Sequence, residues 1–421
     1  MPPADPRRLL DTLWRMESPR LVARVARMTG DVGTAEELVQ DVFEQAVRRW
    51  PAEGTPSNPA AWLMTASRHR AIDHLRRRAL HGERAREYAV EMELQDASRE
   101  DAPPMQADDD IGDDLLRLML VACHPVLPLD SRVALTLRLL GGLTVPEIAR
   151  AFLAREAAIS QRIVRAKQAL RDARVPFEIP RRDELDERVC AVLQVVYLVF
   201  NEGYAATAGD DLVRPAPCED AMRLGRVLAG LMPREPEVHG LVALMELQAS
   251  RLRARTDANG DAVLLADQDR GRWDRTLIRH GLGALDRALA LGGGDAPYAL
   301  QAAIAACHAR AATVDATDWP RIAQLYARLA DLTGSPVVEL NRAMAESMAL
   351  GPAAALARVD RLVEQGDLDG YAMLPAVRGD LLDRLGRADE ARIEFERAAR
   401  LTGNARERRV LLDRAARCTA T

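Results

Sequence analysis

A tryptophan, a histidine and several arginines within one short segment have side chains suited to contacts with nucleic acid. Residues 59–78 read PAAWLMTASRHRAIDHLRRR. Helical spacing places Met64, Ala71 and Leu75 on one face of a helix. The opposite face carries Trp62, His69, Asp73, Arg76 and Arg77. Arginines neutralise phosphates, and a flat aromatic ring stacks on unpaired bases. The pattern predicts a nucleic-acid contact. The alternative is that Trp62 packs into a core and the arginines form a solvated face.

A second basic segment, at residues 144–170, has the pattern of a helix-turn-helix. Thr144, followed three residues later by Glu147, predicts a capping box that begins a helix. After a short turn at 153–156, the buried stripe of the next helix is predicted to comprise Ile159, Ile163, Ala166 and Leu170. The residues left outward or on the flanks are Ala158, Gln161, Arg162, Arg165 and Lys167. Amide and guanidinium groups in such positions suit base edges and phosphates in the major groove. The alternative is an ordinary helical hairpin.

Charge is distributed unevenly along this chain. The whole sequence has a net charge of −5, which argues against a general polyanion binder. Residues 65–86 nevertheless carry a net charge of +5, and residues 115–175 carry +6. Between them, residues 89–114 hold ten acidic residues and one arginine, a net charge of −9. We predict a flexible acidic linker between two basic parts.

Three segments, in this order, resemble the extracytoplasmic-function (ECF) sigma factors of bacterial RNA polymerase. Residues 31–50 (DVGTAEELVQDVFEQAVRRW) look like the polymerase-binding helix of that family. Residues 58–78 look like its promoter-melting helix, which reads the −10 element, and residues 127–170 look like its −35-reading domain. The resemblance extends over residues 10–175, about two-fifths of the chain. It implies two partners: core RNA polymerase, through its clamp helices and flap, and promoter DNA, duplex at −35 and melted at −10.

The resemblance also implies a role for individual residues. Those on the polymerase-binding face are Glu37, Gln40, Asp41 and Glu44. Those near the −10 element are the loop 50–58 and Trp62, His69, Asp73, Arg76 and Arg77. Those near the −35 element are Arg155, Ala158, Gln161, Arg162, Arg165 and Lys167. None of these roles is catalytic, so the resemblance implies a polymerase subunit that is not itself an enzyme.

The chain continues well beyond the sigma-like part. Its remainder is rich in Ala, Leu, Arg and Glu with helical periodicity, so we predict an all-α protein. Residues 371–404 match a tetratricopeptide unit, with Gly379, Ala391, Phe395 and Ala398 at the expected offsets. A weaker copy has Gly351 and Ala357.

The predicted domains are 1–88 (sigma region 2), 89–113 (acidic linker), 114–176 (sigma region 4) and 177–421 (a larger helical domain with tetratricopeptide-like repeats). In sigma factors that the chain resembles, such an extension is thought to regulate the sigma function. Repeats of this kind also present a surface to a peptide or protein partner.

The extension carries many polar side chains in apolar surroundings. They are Glu202, Glu219, Arg223, His239, Arg255, Gln268, Asp269, Arg270 and Asp274. One interpretation is an internal ion-pair network that fixes helix register, since buried charges are usually paired. The other is a pocket for a ligand or a peptide. A hydrolytic centre is disfavoured because no HExxH motif, Ser-His-Asp order or Gly-rich phosphate loop is present.

Several sequence features exclude other classes of protein. The five cysteines show no metal-ligand spacing, and such an odd, scattered set favours a reducing cytoplasm. No signal peptide is evident, and the longest apolar run (191–200) is too short to span a bilayer. We therefore expect no metal, no cofactor and no membrane contact.

Two other functional classes stay open: a stand-alone helix-turn-helix regulator with a helical sensor domain, and an enzyme fused to a DNA-binding module. The segments 31–50 and 58–78 distinguish a sigma factor from a stand-alone regulator, because a simple helix-turn-helix regulator needs neither segment.

Overall fold

Helices account for most of the residues that the structure describes. The computed structural model describes residues 6–79, 104–152, 154–204, 213–257 and 261–418. These residues form eighteen α-helices and a few short 3-10 turns, and none of them forms a β-strand. The all-α prediction is therefore confirmed. The chain divides into two compact units, 1–196 and 197–421. This division falls later than the predicted domain boundary after residue 176, within a helix that contributes residues to both units.

The first unit is built from helices of 7 to 24 residues. They are α1 (Pro6–Thr29), α2 (Val32–Glu53), α3 (Pro59–Ala79), α4 (Pro104–Ala122), α5 (Leu129–Leu139), α6 (Val145–Ala151), α7 (Glu156–Asp172) and α8 (Arg182–Tyr204), the last of which extends into the second unit. Helix α1 packs on α2, α3 and α4, while α5, α6 and α7 pack on one another. The predicted start of α6 is confirmed: Thr144 and Glu147 form a reciprocal capping box. The stripe Ile159, Ile163, Ala166 and Leu170 is buried on α7, as predicted.

Helix α4 replaces the last part of the predicted flexible linker. Residues 80–103 lie outside the described residues, but the chain is helical from Pro104 onward. Apolar residues such as Leu118 and Met119 are buried, which gives this helix a face to pack on α1. Its buried Asp114 lies 2.7 Å from a guanidinium nitrogen of Arg117 and about 3.4–3.5 Å from those of Arg24 and Arg27. Tertiary packing and a carboxylate shared by three arginines thus order a segment whose composition indicated a linker.

The buried face of α3 is displaced from the predicted one. The fully buried side chains are Leu63, Ser67 and Ala71, spaced four residues apart. Met64 and Leu75, which the pattern placed in the core, are only partly buried. The sequence prediction counted only apolar side chains as core residues of α3. Ser67, which has a small hydroxyl side chain, was therefore overlooked.

The second unit consists largely of helices that pack on their neighbours in the chain. Its helices are α9 (Pro215–Leu231), α10 (Pro236–Ala249), α11 (Arg275–Ala290), α12 (Pro297–Arg310), α13 (Trp319–Thr333), α14 (Pro336–Leu350), α15 (Pro352–Gln365), α16 (Met373–Arg384), α17 (Ala388–Leu401) and α18 (Ala405–Arg417). Helix α10 is buried on most sides and packs on α11 and α12. Its Gly240 permits a close approach, because a Cβ there would lie 2.7 Å from the backbone nitrogen of Ala299.

The clearest tetratricopeptide-like unit forms a helical hairpin of α16 and α17. A Cβ on Gly379 would lie 2.9 Å from the ring of Phe395, so the absence of a side chain brings the two helices together. Ala391 and Ala398 are buried at the same contact. In the weaker upstream copy the predicted Ala357 is exposed, which corrects the register. The residues buried there are Ala355 and Leu356, and Leu356 lies five residues after Gly351, as Ala391 lies five residues after Gly386.

Candidate nucleic-acid interface

The outer surface of α2 carries the residues predicted to bind polymerase. Glu37, Asp41 and Glu44 are exposed, and Gln40 is partly buried. The Gln40 side chain donates a 2.7 Å hydrogen bond to Glu36 on the same helix. A surface groove of 490 Å³ runs beside them, lined by Trp14, Gln40, Phe43, Glu44, Val47 and Arg48. It exposes an apolar surface next to acidic side chains, which is suited to a protein contact.

Four of the five residues predicted on the outer face of α3 are exposed to solvent. They are His69, Asp73, Arg76 and Arg77. Trp62 is only partly exposed, because its ring packs edge-to-face on buried Trp50 with the ring centroids 5.5 Å apart. Part of the Trp62 ring therefore packs at the start of α3, as the core alternative held, while the rest of the ring is accessible to solvent.

A basic groove on α3 includes Arg70 and His74, which the sequence interpretation missed. The groove has a volume of 390 Å³ and is lined by Leu38, Arg70, His74, Arg77 and Arg78. Arg70 donates a 2.8 Å hydrogen bond to Asp41. This contact joins the predicted polymerase-binding helix to the predicted DNA-binding helix. Positions 70, 74 and 78 share one helical face, and this four-residue spacing could have identified the groove from the sequence.

The predicted recognition helix α7 has an exposed outer face. Ala158, Gln161 and Arg165 are exposed, as the pattern predicted. Arg155, which the resemblance placed near the −35 element, is also exposed. Arg162 is partly buried and lies 3.4 Å from Asp130 on α5. Val164 was missed by the sequence interpretation, although it is 62% exposed beside Gln161 and Arg165. An apolar side chain in this position suits the methyl group of thymine.

Lys167 does not lie on the open surface of α7. Its Nζ is 2.5 Å from Oε2 of Glu36 on α2, and its side chain is only 18% exposed. The same carboxylate, on a buried residue, accepts a 2.6 Å hydrogen bond from Nε of Arg138 on α5. Glu36 therefore neutralises two cations from the helix-turn-helix part of the chain. The predicted phosphate contact of Lys167 is replaced, in this arrangement, by an ion pair.

A second contact between α2 and α7 lies nearby. Arg171 donates two hydrogen bonds, of 3.0 and 3.1 Å, to the carboxylate of Asp31, which also caps α2 through the Thr34 amide. Burial alone would raise the pKa of Asp31. The hydrogen bonds from Arg171 and Thr34 outweigh it and lower the pKa to about 2, so the contact persists at neutral pH.

The polar residues predicted to converge in the extension do not form one site. Arg255, Gln268 and Arg270 line one cavity. The others have separate local roles: Glu202 pairs with Arg214, Arg223 pairs with Asp220, a ring nitrogen of His239 contacts the Pro233 carbonyl, and Asp269 and Asp274 cap helical turns. Glu219 is exposed. Periodicity could not distinguish capping residues from cavity residues, because that difference depends on tertiary packing.

Two further observations concern other kinds of site. In the described ranges, no group of three or more His, Cys, Asp and Glu side chains is placed to hold a metal ion. None of the described helices combines the length and the apolar character needed to cross a membrane.

Comparison with known proteins identifies the family. Residues 13–80 match the family described as Sigma-70 region 2, and residues 117–170 match Sigma-70, region 4. A probable ECF RNA polymerase sigma factor, SigI of Mycobacterium tuberculosis, is 28% identical over 166 residues, covering 39% of this chain and 56% of that protein. SigK of Mycobacterium ulcerans, an ECF RNA polymerase sigma factor, is 29% identical over 154 residues, covering 36% of this chain and 79% of that protein.

The chain carries the two Sigma-70 regions that its ECF sigma-factor relatives have.

The extension of this sigma factor is shared by other proteins. Residues 188–289 match a family of unknown function, DUF6596. An uncharacterized protein of Rhizobium meliloti is 46% identical over 391 residues, covering 92% of this chain and 90% of that protein. The resemblance seen in the sequence is therefore confirmed: two sigma regions precede a larger helical extension.

Proposed function

We propose that this sigma factor binds core RNA polymerase through α2, opens the −10 element with α3 and reads the −35 element with α7. The observation that carries this proposal is the pair of exposed basic helices, each within a segment that matches a sigma region. The contact between Asp41 and Arg70 further supports it, because one ion pair couples the acidic face of α2 to the basic groove of α3. No reaction is catalysed by these residues in this proposal.

Exposed acids on α2 provide the test of polymerase binding. Replacing Glu37 or Glu44 by arginine reverses a charge on the proposed docking face, and like charges at an interface cost several kcal/mol. We expect Glu37→Arg and Glu44→Arg to weaken binding of the full chain to bacterial core polymerase by tenfold or more, roughly 1.4 kcal/mol. Asp11→Arg, at an exposed position on α1, is the matched control. Equal binding by all the variants would refute α2 as the docking helix.

The proposal includes a regulatory role for the second unit. The extension follows the sigma regions in the same chain, and its tetratricopeptide-like hairpins offer surfaces for a neighbouring domain or a partner. We expect truncation after Val196, the end of the first compact unit, to lower transcription severalfold, because the extension supports the active conformation. Circular dichroism of the truncated chain checks that the sigma regions stay folded. Transcription equal to that of the full chain, with and without cell extract, would show that the extension has a separate role.

A further inference from the structure

The second unit contains a cavity large enough for a small molecule. Its volume is 790 Å³, within the range of about 300–1,000 Å³ that is usual for ligand sites. Side chains from α12, α13, α14, α16 and α18 line it, together with the 3-10 turns that precede α11. The cavity lies wholly among residues 251–414, so it is distinct from the surfaces that contact promoter or polymerase in the proposed function.

The cavity is strongly cationic. Its lining includes Arg251, Arg255, Arg270, Arg384 and Arg414, against the carboxylates of Asp380 and Glu407. Asp380 is engaged by Arg414. In the described part of the chain, Arg251, Arg255 and Arg270 form no ion pair with a carboxylate and lie instead against aromatic rings. The Arg255 guanidinium carbon is 3.9 Å from the ring centroid of Tyr204, and that of Arg270 is 4.9 Å from the ring centroid of Trp273. Partly desolvated cations without counter-ions favour an anionic ligand.

Two buried side chains have polar atoms without a partner at this cavity. Arg270 is 8% exposed and donates hydrogen bonds to the carbonyls of His308 and Ala311, but its Nε has no partner. Gln268 is 7% exposed and donates a hydrogen bond to the Val263 carbonyl, while its Oε1 has none. An unsatisfied buried group costs about 1–3 kcal/mol. A ligand that offers both an anionic oxygen and a hydrogen-bond donor would satisfy the two side chains.

His308 adds a neutral polar group to the same wall. Burial, and then the charges of Arg251 and Arg270, lower the pKa of its imidazole to about 4. The ring is therefore uncharged at neutral pH, and its buried Nδ1 has no hydrogen-bond partner. The wall thus combines fixed guanidinium charges with neutral hydrogen-bonding groups, so a ligand with one charged group and one uncharged polar group fits it best.

The rest of the lining is apolar and adaptable. Met344, Met348 and Met373 contribute flexible thioether side chains, with Trp319, Val377 and Leu411 between them. Met348 and Met373 are 38% and 40% exposed, so their side chains are accessible to a ligand. Methionine surfaces accommodate apolar ligands of varied shape. The occupant should therefore carry a sizeable apolar body.

We propose that this cavity binds an amphipathic organic anion: a carboxylate with a neighbouring amide N–H or hydroxyl group and an acyl or aryl body. The carboxylate lies near Arg255 and Arg270, the donor faces Oε1 of Gln268, and the apolar body packs on the methionines. Binding orders the second unit and raises its stability by mass action. The site does not depend on the sigma function, so its test involves no transcription.

The test uses calorimetric titration of the full chain with N-octanoylglycine, which has a carboxylate, an amide N–H and an apolar tail. We expect saturable binding with one ligand per chain and a concentration-dependent rise in melting temperature. The methyl ester, which lacks the charge, should bind at least about tenfold more weakly, as expected for the loss of a charge-assisted hydrogen bond. Octanoate, which lacks the amide N–H, should bind with intermediate affinity.

Variants distinguish ligand binding in this cavity from unspecific adsorption to the protein surface. Arg255→Gln should weaken binding by tenfold or more, roughly 1.4 kcal/mol, while Arg253→Gln, exposed two residues away and outside the cavity, should leave it unchanged. Ala376→Leu fills part of the cavity without altering charge and should also weaken binding. Circular dichroism checks the fold of each variant. The proposal is overturned if N-octanoylglycine does not bind saturably, if the ester binds equally well, or if Arg255→Gln and Ala376→Leu both fold and bind like the unaltered chain.

Discussion

Glu36 on α2 and Lys167 on α7 form an ion pair, with Nζ of Lys167 2.5 Å from Oε2 of Glu36. The pair joins the helix proposed to bind polymerase to the helix proposed to read the −35 element. It lies beside a second pair, Asp31 and Arg171, between the same two helices. In this arrangement the inner flank of the recognition helix is occupied by acidic side chains of α2, while its outer face is free to meet DNA.

Because Lys167 is paired with Glu36, we expect Lys167 and Arg165 of α7 to contribute differently to DNA binding. Arg165 is exposed, so Arg165→Met should reduce the salt dependence of DNA binding by about one unit of log–log slope. Lys167→Met should leave that slope unchanged in the free protein. It should instead lower the free energy of unfolding by about 1–3 kcal/mol, because Glu36 would keep only Arg138 as a cationic partner. Salt titrations and denaturant melts measure the two effects. A reduced slope without a loss of stability would identify Lys167 as a phosphate contact.

We propose two roles for the Trp62 ring: one part packs on Trp50, and the exposed part stacks on promoter DNA. Trp62→Ala should slow opening of promoter DNA by roughly tenfold to a hundredfold, since a lost stacking contact costs about 1–3 kcal/mol. His69 is exposed, so His69→Ala should impair opening without lowering the melting temperature of the protein. Permanganate footprinting of polymerase complexes on duplex and pre-melted templates distinguishes opening from binding. If pre-melted DNA fails to rescue Trp62→Ala at all, its packing on Trp50 is the dominant role.

The outer face of α7 predicts changes in sequence preference. Gln161→Ala should relax preference at one −35 base pair, at a cost of about 1–3 kcal/mol. Val164→Ser should reduce a preference for thymine, because it removes an exposed apolar surface. Gln168→Ala, at an exposed position nearer the helix end, is the control. A randomised promoter library, sequenced before and after selection with polymerase, measures all three. Unchanged preferences with both Gln161→Ala and Val164→Ser would contradict the proposed register of the helix.

Most of the helical framework was predictable because its signals are local. The capping box at Thr144 and the spacing of Ile159, Ile163 and Ala166 depend only on nearby residues, and the structure confirms both. The failures involve contacts between segments distant in sequence. Helix formation from Pro104 depends on packing against α1, and the pairing of Lys167 depends on a glutamate more than a hundred residues upstream. Outward helical spacing identified Gln161 and Arg165, but no spacing rule shows that Lys167 meets another helix.

A glycine in the extension offers a test of its helical packing. Gly379→Ala should destabilise the protein by about 1–3 kcal/mol, because the added methyl would overlap the fully buried ring of Phe395. Gly283→Ala is the matched control: it lies within α11 with no atom within 4 Å of the added Cβ. That change should stabilise by about 0.5–1 kcal/mol, the usual gain for a helix interior. Thermal unfolding of both variants gives the comparison, and a stable Gly379→Ala variant would contradict the close packing of α16 on α17.

Transcription with a bacterial core RNA polymerase tests the central claim most directly. Core polymerase and sheared genomic DNA from the source organism are incubated with and without the full chain, and the 5′ ends of the transcripts are sequenced. We predict that the chain creates discrete start sites that share −35 and −10 motifs, while the chain alone binds duplex DNA weakly and in a salt-sensitive manner. The account is contradicted if no new start sites appear and the chain alone binds specific duplex sequences tightly at physiological salt, as a stand-alone helix-turn-helix regulator would.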